Sequence, residues 1–145
     1  MDIQKEKLDM IVTQYRHKGY DVFGVYGDVT NRQELEQMFQ EAMILLQGKL
    51  DVLIPAAGVQ RRHLPESFPL KDFDLIMKVN LDHVYIMIQK ALQVMLSQAS
   101  GGKIITVGSM VSWFGGTNVS AYTASSASDY INGAVIPVDG AYLVK

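Results

Sequence analysis

Asp51-Val52-Leu53-Ile54-Pro55-Ala56-Ala57-Gly58 is the stretch that decides the fold. The run from Asp51 to Ala56, bounded by Gly48 and Gly58, is apolar after its first residue and shows no alternation. Apolar character on both faces predicts a strand buried on both faces, as in a parallel sheet covered by helices. Lys103 to Gly108 reads the same way, and Ala134 to Val138 is a last apolar strand ending in Asp139-Gly140. Tyr20 to Tyr26, short and rich in β-branched and aromatic residues, reads as a strand nearer the N-terminus.

Helical periods lie between these runs. Leu8, Ile11, Val12 and Tyr15 fall on one face of an amphipathic helix, which Gly19 ends as a C′ glycine. Thr30-Asn31-Arg32-Gln33 reads as a capping box, Thr30 at the N-cap and Gln33 three residues on. The helix it opens carries Leu35, Met38, Phe39, Ala42 and Leu46 on one face, and Gly48 closes it. Val59 to Pro69 is a polar loop. From Leu70 to Ser97 the period is again helical, through Phe73, Ile76, Met77, Val84, Met87, Ile88, Ala91, Leu92 and Met95. Alternating β and α with doubly apolar strands predicts an α/β fold with a parallel sheet.

Composition sets the outer bounds. Over 145 residues, 48% are hydrophobic and 19% charged, a globular profile rather than that of a disordered chain. The net charge of −2 offers no electrostatic case for binding nucleic acid or a membrane surface. No cysteine is present, which removes disulfides, thiolate metal sites and a thiol nucleophile. Three scattered histidines, His17, His63 and His83, read as solvated or capping residues, and no metal site is expected. No apolar run reaches the roughly 20 residues that span a bilayer, and the N-terminus lacks the apolar core of a signal peptide. A soluble cytoplasmic protein is the expectation.

The candidate chemistry sits where ligands bind in open parallel sheets, beyond the carboxyl ends of the strands. Asp28 follows a predicted strand; it is either an acceptor for an adenine amino group or a turn residue leading into the Thr30 cap. Ala56-Ala57-Gly58 gives a ligand close access to the backbone, or is a plain strand-to-loop turn. Asn80 interrupts an apolar helical pattern. It is either exposed and incidental or a polar group with an assigned partner. Ser109 follows Lys103–Gly108, and Tyr122 lies beyond it in a Ser-rich stretch. A tyrosine phenol titrates near 10, so it needs a nearby cation to act as an acid or base at neutral pH.

In this order and spacing, Asp28-Val29, Ala56-Ala57-Gly58, Val79-Asn80, Ser109 and Tyr122 resemble the classical short-chain dehydrogenase/reductase family. The resemblance implies a Rossmann-like, doubly wound parallel sheet with helices on both faces. It also implies hydride transfer between NAD or NADP and a CH–OH group. Asp28 would contact adenine, and Ala57 with Gly58 would line the cofactor cleft. Asn80 would hold a water in a proton relay near the cofactor. Ser109 would orient the substrate oxygen, and Tyr122, beside the cofactor, would exchange the proton. Gly58-Val59-Gln60-Arg61-Arg62-His63, Ser128 to Gly133 and Val138-Asp139-Gly140 are similar to gluconate 5-dehydrogenases, 2-deoxy-D-gluconate 3-dehydrogenases and fungal sugar or polyol reductases. The substrate implied is therefore a small sugar acid or polyol. Arg61 and Arg62 either meet its carboxylate or form a solvated loop pair. The family is homo-oligomeric through helices like Asp72–Ser97.

The same resemblance marks departures. The chain begins in what resembles the helix before the family's third strand, so the Gly-rich phosphate loop and the first βαβ unit have no counterpart. The family's Tyr-x-x-x-Lys reads Tyr122-Thr123-Ala124-Ser125-Ser126, with serine where the lysine would lower the tyrosine pKa and bind the nicotinamide ribose. After Tyr122 the lid region is missing, and Pro55 and Ala141 replace an Asn and a Gly. Residues 1–145 are expected to form a single incomplete domain in which only the counterparts of the fourth and fifth strands keep each other as neighbours. The alternative function is a catalytically inactive truncated fragment or pseudoenzyme, a partner of a full-length homologue.

Overall fold

The computed structural model describes residues 1–111 and 116–126. The predicted strand Ala134–Val138 and the motifs from Ser128 to Gly140 lie outside these residues. The two apolar runs meet as expected. Strand β1 (Val52–Leu53) pairs in parallel with β2 (Lys103–Ile104), Val52 opposite Lys103 and Leu53 opposite Ile104. The Lys103 N–H donates to the Asp51 carbonyl at 2.8 Å and the Ile105 N–H to the Leu53 carbonyl at 2.9 Å. Each strand is shorter than the six-residue run predicted for it. Regular pairing stops before Pro55, which has no N–H to give to a ladder.

The predicted strand Tyr20–Tyr26 is reduced to one parallel bridge between Asp2 and Tyr26. The Asp2 N–H donates to the Val25 carbonyl, and the Gly27 N–H donates to the Asp2 carbonyl. A strand exists only where a neighbour takes its hydrogen bonds, and among the described residues this segment has that single neighbour. Burial is also one-sided. Leu50 and Leu53 are buried, whereas Val52, Ile54, Ile105 and Val107 are exposed. The doubly apolar pattern therefore overstates the burial of these runs among the described residues.

Helix α1 (Lys5–His17) ends as predicted, with Gly19 at φ +85°. Only Leu8 and Val12 of its apolar face are partly covered. They lie over Gly24, where a Cβ would come within 3.1 Å of both side chains. Helix α2 (Arg32–Leu45) starts one residue later than the Thr30 cap predicts. Asn31 is the N-cap: its Oδ1 accepts from the Gln33 and Glu34 N–H groups, and its Nδ2 donates to Glu34 Oε1. Asparagine caps at least as well as threonine, and Glu34 adds a negative charge at the positive end of the helix.

The long helical run from Leu70 is three consecutive pieces. Helix α3 (Leu70–Met77) passes through a π-helical turn (Lys78–Asp82) into helix α4 (His83–Ser97). Helix α5 (Ser120–Ser126) lies against α3 and the π turn. Leu35 and Phe39 of α2, Leu50, Leu53, and Met87, Ala91 and Met95 of α4 form the core beneath the sheet pair. Lys90 of α4 reaches Glu36 of α2 and lies over the Phe39 ring. The Lys90 ammonium holds the Glu36 carboxyl below its ordinary range.

Gln98 ties the end of α4 to the start of the sheet. Its Oε1 accepts from the Leu50 N–H at 2.7 Å, and its Nε2 donates to the carbonyls of Leu50 at 3.1 Å and Gly101 at 2.8 Å. His83 differs from the solvated or capping role expected of it, being 3% exposed. Burial lowers its pKa below 6.5, and the Val79 carbonyl one turn earlier opposes this more weakly. Its buried Nδ1 has no well-formed hydrogen-bond partner among the described residues.

Gln98→Ala strips partners from three backbone groups, and urea unfolding is expected to show a loss of about 1–3 kcal/mol. A change below about 0.5 kcal/mol would show that water replaces the amide without penalty. His83 generates a pH dependence. Its folded pKa is depressed, so the unfolded chain binds more protons, and the ring's contribution is present above 6.5 and lost as pH falls through the folded value. The urea midpoint is expected to drop between about pH 7.5 and about pH 5, and His83→Phe is expected to shrink that drop. An identical drop in the variant would place its origin elsewhere.

Candidate functional site

Asn80 lies in the middle of the π turn, where the helix ladder is locally widened. Its side-chain amide pairs with one peptide unit of the loop after β1. The Val59 N–H donates to Asn80 Oδ1 at 2.9 Å, and Asn80 Nδ2 donates to the Val59 carbonyl at 2.9 Å. Of the two readings that the sequence left open, a polar group with an assigned partner is the one found. The remaining Nδ2 hydrogen goes to Ser125 Oγ at 3.3 Å. Ser125 is itself buried, and its hydroxyl donates to the Tyr122 carbonyl one turn earlier at 2.9 Å. A chain of hydrogen bonds thus joins the β1 loop, the π turn and α5.

These segments, with the chain after β2, border an open cavity of about 470 Å³. Ala57 and Gly58 line it from the β1 side, Asn80 from the π turn, Ser109 from the β2 side and Tyr122 from α5. Sequence reasoning had singled out all five. Val59, Gln60, Thr106, Ser125 and Ser126 also line it. Ser125 carried a signal that was not used: it stands three residues after Tyr122, one turn along the same helical face. The lining is electrically plain. Among its described residues are hydroxyls and two side-chain amides, and no Lys, Arg, Asp, Glu or His.

Three other candidates lie outside the lining. Asp28 works in the turn before α2, where its Oδ1 accepts from the Thr30 N–H at 2.8 Å and its own N–H donates to Glu34 Oε2 at 3.0 Å. Arg61 and Arg62 are exposed, and Arg61 donates to the carbonyl of its neighbour Gln60. His63 pairs with Asp72 at 2.7 Å and packs edge-on to Phe68, and its N–H donates to the Asn118 carbonyl. Loop 59–69 is thereby tied both to α3 and to the segment before α5. Among the described residues no group of three His, Asp or Glu side chains could hold a metal ion, and no helix is long and apolar enough to cross a membrane.

Known proteins are similar to this chain in sequence and fold. A 2-dehydro-3-deoxy-D-gluconate 5-dehydrogenase of Escherichia coli is 41% identical over 80 residues, covering 55% of this chain and 32% of its own length. A 3-oxoacyl-acyl-carrier-protein reductase of Staphylococcus aureus is 34% identical over 123 residues, covering 85% of this chain and 49% of its own. Among solved structures, a gluconate 5-dehydrogenase of Burkholderia cenocepacia in complex with NADP and tartrate superposes with a TM-score of 0.78 at 26% identity, over 88% of this chain and 49% of that one. An NAD+-bound xylitol dehydrogenase superposes with a TM-score of 0.79 at 25% identity, over 87% and 48%. The chain therefore spans between a third and a half of the length of the relatives it matches. Residues 1–128 match the short chain dehydrogenase family, and the chain belongs to that family.

Proposed function

We propose that this chain carries the substrate side of an oxidoreductase site. The reaction is hydride transfer between NAD or NADP and a CH–OH carbon of a sugar acid or polyol. The observation that carries this reading is the convergence of Ala57, Gly58, Asn80, Ser109 and Tyr122 on one cavity. The Tyr122 phenol exchanges a proton with the substrate oxygen, and the Ser109 hydroxyl holds that oxygen by a hydrogen bond. Asn80 and Ser125 fix the loop and the helix between which the substrate lies.

The described residues fit the flat nicotinamide end of the cofactor, because Ala57 and Gly58 permit close approach to the backbone. Among the described lining residues there is no cation to meet its pyrophosphate. A bound nicotinamide gives or takes the hydride. A cytoplasmic setting accords with the lack of cysteine. Exposed Tyr85, Leu92 and Leu96 along α4 accord with a homo-oligomer.

A second reading, an inactive relative, is favoured by one observation: Ser126 stands where the family motif has its lysine. Titration of NADH and NADPH by fluorescence, with turnover of xylitol and gluconate, separates the two. Saturable binding with turnover that Tyr122→Phe lowers by about 10²–10⁴-fold supports the enzyme. Failure to bind either nucleotide supports the inactive relative. Ser126→Lys supplies a test in the opposite direction. A cation beside a phenol favours its ionised form, so the variant is expected to oxidise its substrate faster and to move the rising limb of its pH–rate profile to lower pH.

A further inference from the structure

We infer that the cavity selects a neutral polyol, or the corresponding ketose, over a sugar acid. The inference rests on the site proposed above and concerns which of its two substrate classes enters. The Asn80 amide and the Ser125 hydroxyl are bonded within the protein, whereas Thr106, Ser109 and Tyr122 bring hydroxyls to the lining and Gln60 brings an amide. Such groups both donate and accept, which suits a ligand whose oxygens do the same. A carboxylate accepts only. Entering this open cavity it loses part of its hydration, and no cation among the described lining residues offsets the loss.

The arginine pair stands apart from this lining. Arg61 and Arg62 are exposed and do not border the cavity, and the Arg61 guanidinium bonds to the Gln60 carbonyl at 3.0 Å. Relatives named for sugar acids and for xylitol are both similar to this chain, so likeness alone does not choose between the classes. The uncharged lining does.

The test uses the whole chain without nucleotide and measures calorimetric binding of xylitol, sorbitol and gluconate. Xylitol or sorbitol is expected to bind at least about tenfold more tightly than gluconate, with little dependence on salt. Gluconate binding as tightly as the polyols overturns the inference, as does the lack of saturable binding by all three. Gluconate binding that is lost in the Arg61→Ala, Arg62→Ala double variant assigns the site to the arginine pair and also overturns it.

Gln60 is exposed yet lines the cavity, so Gln60→Lys places a charge there with the fold undisturbed. That variant is expected to shift the preference toward gluconate, raising gluconate affinity relative to xylitol several-fold. No gain for gluconate would show that lining charge does not control selection. Polyol binding without reduction of NAD or NADP leaves this inference standing and removes the proposed reaction. Reduction driven by gluconate alone does the reverse.

Discussion

The Asn80 amide is the constraint on which the site depends. A carboxamide offers one acceptor and two N–H donors, and here each finds a partner: the Val59 N–H, the Val59 carbonyl and the Ser125 hydroxyl. Two of these bonds close on one peptide unit, so the loop is held in orientation as well as in distance. The third reaches α5, whose Ser125 is bonded back to the Tyr122 carbonyl. Three segments far apart in sequence are thereby set around one space. The π turn has a physical role in this. An asparagine in a regular helix competes with the backbone for hydrogen bonds. In a widened turn its side chain is free to serve another segment.

Legibility of the fold followed the range of the interaction that sets each element. Gly19 and Gly48 were readable as helix ends because a positive φ is a local requirement, and both have it. The parallel pairing of the Val52 and Lys103 runs was readable because uniform apolar character reports burial within a sheet. Strand length was not readable, because it depends on the hydrogen-bond neighbours. Tyr20–Tyr26 has strand composition but, among the described residues, only Asp2 bridged to it. The cap shifted from Thr30 to Asn31 because two adjacent residues could both cap, and Glu34 rather than Gln33 reaches back. Gln98, just past the end of α4, and His83, at its start, are polar residues flanking an apolar stretch. One completes the backbone bonding of Leu50, and the other is buried with no well-formed partner for its Nδ1 among the described residues.

The candidate site shows the same division. Residues singled out by type and order, Ala57, Gly58, Asn80, Ser109 and Tyr122, border one cavity, whereas Asp28, Arg61 and Arg62 do not. Position after a strand end sufficed for Ala57 and Gly58, because the strand itself delivers them there. It did not suffice for Asp28, whose carboxylate is used by the Thr30 N–H in the turn that launches α2. Charge in a polar loop did not suffice for Arg61 and Arg62, because a long exposed side chain has no packing to aim it. Ser125 went unread because its role lies in a bond to a residue 45 positions away.

Position 126 joins the two questions left by this chemistry, how Tyr122 is activated and what ligand is admitted. A lysine there would stabilise a phenolate and would also give the cavity a positive charge. A serine does neither, while adding one more hydroxyl to the lining. The two consequences are not independent, because both are the potential of a single cation felt at two places in a cavity of limited size. A change that raises proton transfer at Tyr122 by adding charge at 126 must therefore also shift ligand preference toward anions. In the proposed site, the neutral lining and the lack of a cation at position 126 are, in electrostatic terms, one property.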